Sequence, residues 1–144
     1  MEIQRAAPAS YRAMIALGQS VELEPLLGEL VKARASIVNG CAYCLDMHAK
    51  DARKLGETEE RLLALATWRD SPLFTDRERA ALALTDSITL LATSHVPREV
   101  YDEAAAHFPE HELAALIWAI AVINSWNRIA VSTRMLPGVY QPSE

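Results

Sequence analysis

Cys41 and Cys44, the two cysteines of the chain, stand three residues apart, and His48 follows the second by four. These are the parts that thiolate chemistry needs: a nucleophilic sulfur, a base to deprotonate it, and a second sulfur to take over the oxidised product. If residues 41–55 are helical, Cys41, Cys44, Leu45, His48, Ala52 and Leu55 share one face, and two thiols and an imidazole point together into the core. Gly40 suits a turn into such a helix. The positive end of the helix dipole is then expected to make both thiols more acidic than free cysteine and to prepare a thiolate near neutral pH. His48 lies one turn beyond Cys44 and two beyond Cys41, which favours Cys44 as nucleophile. Position at the helix start and expected exposure favour Cys41 as the attacking thiol of disulfide exchange.

Two cysteines in 144 residues are too few for a disulfide scaffold, and Met1-Glu2-Ile3-Gln4-Arg5 leads into no apolar segment of a signal peptide. A cytoplasmic protein is expected, and in a reducing compartment a close cysteine pair points to redox or metal chemistry rather than a permanent staple. The length fits one domain, residues 1–144, with a core of its own. No run of 18 uncharged apolar residues is present, which argues against a membrane span. A net charge of −5 without a basic cluster argues against nucleic acid as partner.

The elements that must position the thiols read as helices with short punctuation. Ser10 is placed to cap a first helix that Gly18 ends, and Pro25 suits the first turn of a second, reaching Val38. The cysteine helix stops at Gly56, and Thr58 starts another that ends near Trp68 or Arg69. Thr75-Asp76-Arg77-Glu78 fits a capping box and opens a long helix to about Thr93. Pro97 opens a shorter helix through Ala105. From Glu110 to Met135 a helical period runs for about seven turns, some 37 Å, before Pro137-Gly138. No segment has a strand period, so the fold class is all-α, a compact bundle of about seven helices.

Glu29, then Ser36-x-x-Asn39-Gly40-Cys41-Ala42-Tyr43-Cys44-x-x-x-His48, then Glu78-Arg79-Ala80-Ala81-Leu82 and Asn124-x-Trp126-Asn127-Arg128 resemble, across nearly the whole chain, the alkyl hydroperoxidase D-like family of the carboxymuconolactone decarboxylase superfamily. The resemblance implies a helical fold assembled as dimers, trimers or hexamers. It implies thiol peroxidase activity without metal, haem or flavin cofactor, with a peroxide as substrate and a dithiol protein or cofactor as reductant. By position, Cys44 matches the peroxide-reacting cysteine, Cys41 the partner that closes the disulfide, and Glu29 and His48 the proton relay. Where some members carry a further relay histidine, this chain has Tyr43. The decarboxylase branch typically lacks the cysteine pair.

Other readings keep a place. A disulfide reductase or adaptor for a separate peroxidase needs the same pair. A zinc site needs four ligands, and Cys41, Cys44 and His48 supply three, with Glu29 as the nearby fourth. A lyase-like enzyme needs only His48 as base, with the cysteines packed as small apolar groups. His95, His107 and His111 are expected at the surface, and Glu78 is accounted for by its capping box. Asn124, Trp126, Asn127 and Arg128, polar or aromatic within an apolar helix, read first as buried hydrogen bonds or a subunit contact rather than as catalytic groups.

Overall fold

A computed structural model describes residues 1–143. Its helices are α1 (Ile3–Ala6), α2 (Pro8–Gln19), α3 (Pro25–Val38), α4 (Ala42–Lys54), α5 (Glu59–Ala64), α6 (Asp76–Thr89), α7 (Leu91–Ser94), α8 (Arg98–His107) and α9 (Glu110–Thr133). A 3-10 stretch, Leu65–Asp70, continues α5. No strand occurs among the described residues, so the fold is all-α as expected. Each expected helix has its counterpart: α1 is additional, α7 is the end of the expected Thr75–Thr93 helix split off at Leu90, and the helix expected from Thr58 to Trp68 or Arg69 is α only to Ala64 before turning 3-10.

Local chemistry explains the boundaries. Pro25 occupies the first turn of α3, where its missing N–H costs nothing, and the Glu24 carboxylate accepts from the Leu26 and Leu27 amides. Thr75 and Glu78 form both bonds of the capping box. Gly40 and Gly56 take φ of 64° and 99°, a region costly for residues with a Cβ, and so turn the chain into and out of α4.

Several boundaries differ from the sequence reading. The second helical segment starts at Pro8 rather than Ser10, because a proline at the first helical position is already preset for the turn, and it runs past Gly18 to Gln19. Helix α6 stops at Thr89, and Leu90 separates it from α7. Helix α9 stops at Thr133, ahead of Met135: Arg134 turns left-handed at φ 59°, and the Met135 N–H closes onto the Ala130 carbonyl at 3.0 Å.

Helix α3 lies at the centre. One side packs Leu27 and Val31 against Ala81 and Leu84 of α6 and Leu116 and Ile120 of α9; another packs Leu30 and Ala33 against Leu65, Trp68, Phe74 and Leu82. Arg34 of α3 pairs with Asp86 of α6, Nε to Oδ1 at 2.7 Å and Nη2 to Oδ2 at 3.1 Å, and Trp68 Nε1 donates to the same carboxylate at 3.1 Å. By length and composition α9 could cross a bilayer. Here Leu113, Leu116, Ile120 and Ile123 of this helix are buried against the chain's own helices.

Candidate active site

The hairpin of α3 and α4 places the site. Its turn, Asn39-Gly40, is closed by the Cys41 N–H on the Ser36 carbonyl at 2.9 Å, which leaves Cys41 as the N-cap of α4 and Cys44 in its first turn. Both are free thiols. They are buried in one cluster with Ala35, Ile123 and Ala130, and Tyr43, Trp126 and Met135 pack against it.

Two expectations about the thiols change. Cys41 is 2% exposed and Cys44 4%, so Cys41 does not face solvent more than its partner, because Ile123 and Ala130 of α9 cover both. Nor is Cys44 made acidic. Burial and then the adjoining Cys41, as hydrogen-bond partner and like charge, push its thiol up to about 12, against a smaller opposite effect of the Asn127 amide. The Cys44 thiol therefore keeps its proton at neutral pH.

His48 lies on α4 one turn beyond Cys44, and Glu29 reaches it from α3, with Oε2 2.8 Å from His48 Nδ1. The other carboxylate oxygen of Glu29 accepts from Lys32 Nζ at 2.5 Å. Burial pushes the Glu29 carboxyl up, but the His48 hydrogen bond and the charges of His48 and Lys32 outweigh it and hold the group below the usual glutamate range. Glu29 is therefore a carboxylate at neutral pH. A carboxylate on Nδ1 fixes the imidazole tautomer with its proton on that nitrogen and leaves Nε2 as the basic lone pair.

Glu29, Lys32 and His48 line a pocket of about 470 Å³ whose remaining wall is mostly apolar, with Met14 and Ile15 from α2 and Val122, Ile123 and Trp126 from α9. Neither cysteine lines it. Ile123 and Trp126 belong both to this wall and to the thiol cluster. No hydrogen bond joins His48 to Cys44 among the described residues; the Cys44 thiol packs with Cys41, Ala35, Ile123 and Ala130.

Asp51, one turn beyond His48, was not singled out from the sequence. Its carboxylate and the ligand atoms of Glu29 and His48 lie within 4.8 Å of one another. This acid–imidazole group replaces the Cys41, Cys44, His48 and Glu29 set that a zinc reading requires. The i, i+3 spacing from His48 was the available signal. Asp51 accepts from Tyr140 of the C-terminal segment at 2.8 Å, and that phenol is pushed up to about 12 by burial and by the carboxylate. Burial also raises the Tyr43 phenol, so it stays protonated at neutral pH.

A polar network crosses from the α3–α4 turn to α9. Asn39 Nδ2 donates to Asn124 Oδ1 at 3.0 Å and to Asn127 Oδ1 at 2.9 Å. Asn124 donates to Thr89 at 2.9 Å, Asn127 donates to Ser36 Oγ at 3.1 Å, and Arg128 Nη1 donates to Asn124 Oδ1 at 2.9 Å. These are the buried hydrogen bonds expected of the Asn124 to Arg128 run. Trp126 contributes differently, with its ring edge-on to Tyr11 of α2 at 5.3 Å.

Residues 6–87 match the model of the carboxymuconolactone decarboxylase family. The chain is 45% identical over 104 residues to an uncharacterized protein of Bacillus subtilis strain 168, YdfG, covering 72% of this chain and 71% of the relative. The fold superposes on that of ATU0492 from Agrobacterium tumefaciens, a protein of unknown function for which an AhpD antioxidant-defence role has been put forward. The TM-score is 0.93 at 39% identity, over 97% of this chain and 98% of the other. It also shares its fold with an alkylhydroperoxidase AhpD core, an uncharacterized peroxidase-related protein of Ralstonia eutropha JMP134, with a TM-score of 0.82 at 20% identity over 94% and 74% of the two chains. The hairpin that carries Glu29, Cys41, Cys44 and His48 falls wholly inside the matched residues, and the chain belongs to the carboxymuconolactone decarboxylase family as an AhpD-like member.

Proposed function

We propose that the protein is a thiol-dependent peroxidase that reduces organic hydroperoxides through Cys44 and Cys41, with His48 and Glu29 as proton relay. The observation that carries this reading is the oriented Glu29–His48 pair, 2.8 Å apart, in a mostly apolar pocket that shares Ile123 and Trp126 with the two buried thiols. The apolar wall suits an alkyl or aryl group on the peroxide, whose O–O end reaches toward the thiols past Ile123 and Trp126.

The Cys44 sulfur attacks one peroxide oxygen, the O–O bond breaks, and sulfur is oxidised to sulfenic acid. His48 Nε2 takes the thiol proton and returns it to the departing alkoxide, giving the alcohol. Cys41 then attacks the sulfenic acid, the disulfide forms and water leaves. A dithiol protein or cofactor restores both thiols by exchange, and a reducing compartment such as the cytoplasm keeps them in that state. Because the Cys44 thiol holds its proton tightly, its removal is coupled to the attack rather than completed beforehand.

The lyase-like reading is favoured by one observation: the pocket contains His48 and Glu29 but neither thiol. Cumene hydroperoxide turnover with an artificial dithiol separates the two. Loss of turnover in Cys44→Ser and in Cys41→Ser, each folded, supports the peroxidase. Turnover kept at the wild-type level in Cys44→Ser contradicts it.

A further inference from the structure

The Asp51 carboxylate comes within 4.8 Å of the Glu29 carboxylate and the His48 ring nitrogen, with no hydrogen bond to either among the described residues. Its charge is unmatched. Glu29, Asp46, Glu57, Glu78, Asp86 and Glu112, the other carboxylates that are not exposed, each pair with a lysine or arginine, and among the described residues Asp51 pairs with none. Its one side-chain hydrogen-bond partner there is the Tyr140 phenol, at 2.8 Å. The C-terminal segment that carries Tyr140 is pinned along α4: the Gly138 N–H donates to Asp46 Oδ2, and Lys50 Nζ donates to the Tyr140 carbonyl, both at 3.0 Å. This segment lies beyond residues 6–87, the part of the chain that the family model matches.

Around the imidazole, Glu29 and Lys32 of α3 cancel each other, and α2 and α9 present only uncharged side chains to the pocket. On α4 the Tyr43 phenol and the Cys44 thiol keep their protons at neutral pH. Asp51 is left over. It is too far to replace Glu29 on Nδ1, but in a half-buried site a carboxylate at this distance acts on the ring through its charge. When His48 takes the thiol proton, it becomes the cation that Asp51 lacks. We infer that Asp51 is the second carboxylate of the relay, a positioning residue that holds the His48 imidazolium by charge, and that Tyr140 sets how much of that charge reaches the ring. The inference rests on the relay proposed above, and it makes the C-terminal segment part of the site. A phenol that donates to Asp51 draws charge away from His48, and with its own proton held up to about 12 it stays a donor while the imidazole titrates.

The test follows the imidazole signals of the reduced protein by 15N NMR against pH, with those of His48 assigned by their loss in His48→Gln. Asp51→Asn keeps the shape and can still accept from Tyr140, so it removes the charge alone. It is expected to lower the His48 midpoint by about one pH unit, and Tyr140→Phe is expected to raise it by about half a unit. A role confined to holding the helix together would move neither midpoint, or both in one direction. A fall in the first variant with a rise in the second supports the inference, and any other pair of results in folded protein overturns it. If Asp51→Asn does not fold, Tyr140→Phe decides alone: a rise supports the inference, and an unmoved or lowered midpoint overturns it. The acid limb of kcat/KM for cumene hydroperoxide is expected to follow the same shifts. Wild-type protein that does not turn over the peroxide would overturn the peroxidase reading, while the titration still decides the role of Asp51.

Discussion

Glu29 and His48, 19 positions apart, meet at 2.8 Å because α3 and α4 run side by side from the Asn39-Gly40 turn. The contact is the one side-chain hydrogen bond of this imidazole among the described residues, and it orients the base. Glu29→Gln keeps the shape but cannot hold an imidazolium, and kcat/KM for cumene hydroperoxide is expected to fall about a hundredfold. His48→Gln should fall at least as far, and its residual rate should rise with hydroxide concentration, since solvent then takes the thiol proton. Rate against pH for the three proteins checks both. An unchanged rate in His48→Gln would remove the relay from the account.

Stability should fall at both ends of the pH scale, through two different groups. The Glu29 carboxyl is held low in the folded protein, so its contribution is complete above the unfolded glutamate value of about 4.3 and is lost as pH falls through its folded value. The Cys44 thiol is held high, at about 12, so its contribution is complete below the unfolded cysteine value of about 8.5 and is lost as pH rises from there through about 12. Urea midpoints measured across this range should show a shallower acid decline in Glu29→Gln and a shallower alkaline decline in Cys44→Ser.

Asp86 is expected to be the most sensitive ionic position of the scaffold. It is buried and receives Arg34, Trp68 and Arg69, so Asp86→Ala leaves the Arg34 guanidinium without its partner and should cost about 3–5 kcal/mol. Arg69 also touches this carboxylate, at 2.6 Å, but its side chain is 59% exposed. Arg69→Ala should therefore cost at most about 1 kcal/mol. Urea unfolding of the two variants measures the contrast.

The helices were legible in the sequence wherever a terminator has a local cause: Pro25, Gly56, Thr75 with Glu78, and Pro109 act on their own neighbours. The end of α9 was not, since the left-handed Arg134 closes it with backbone bonds that no residue type announces. Within the site, the spacing of Cys41, Cys44 and His48 was enough to place all three on α4, whereas Glu29 was singled out through the family resemblance. The burial of both thiols, which is the first cause of the raised Cys44 thiol, could not be read, because Ile123 and Ala130 that cover them lie on α9, far along the chain. The same holds for Asn39 with Asn127 and Arg34 with Asp86, separated by 88 and 52 positions, whose meeting depends on how helices pack and not on the period within any one of them.

The most direct test of the account is stopped-flow mixing of the fully reduced protein with one equivalent of cumene hydroperoxide, following tryptophan fluorescence and counting free thiols before and after. Trp126 packs against the thiol cluster and should report the change. The account predicts loss of both thiols in a single turnover, faster than free cysteine reacts, with the change absent in Cys44→Ser. Thiols that remain intact, or that are lost no faster than those of free cysteine, would contradict it.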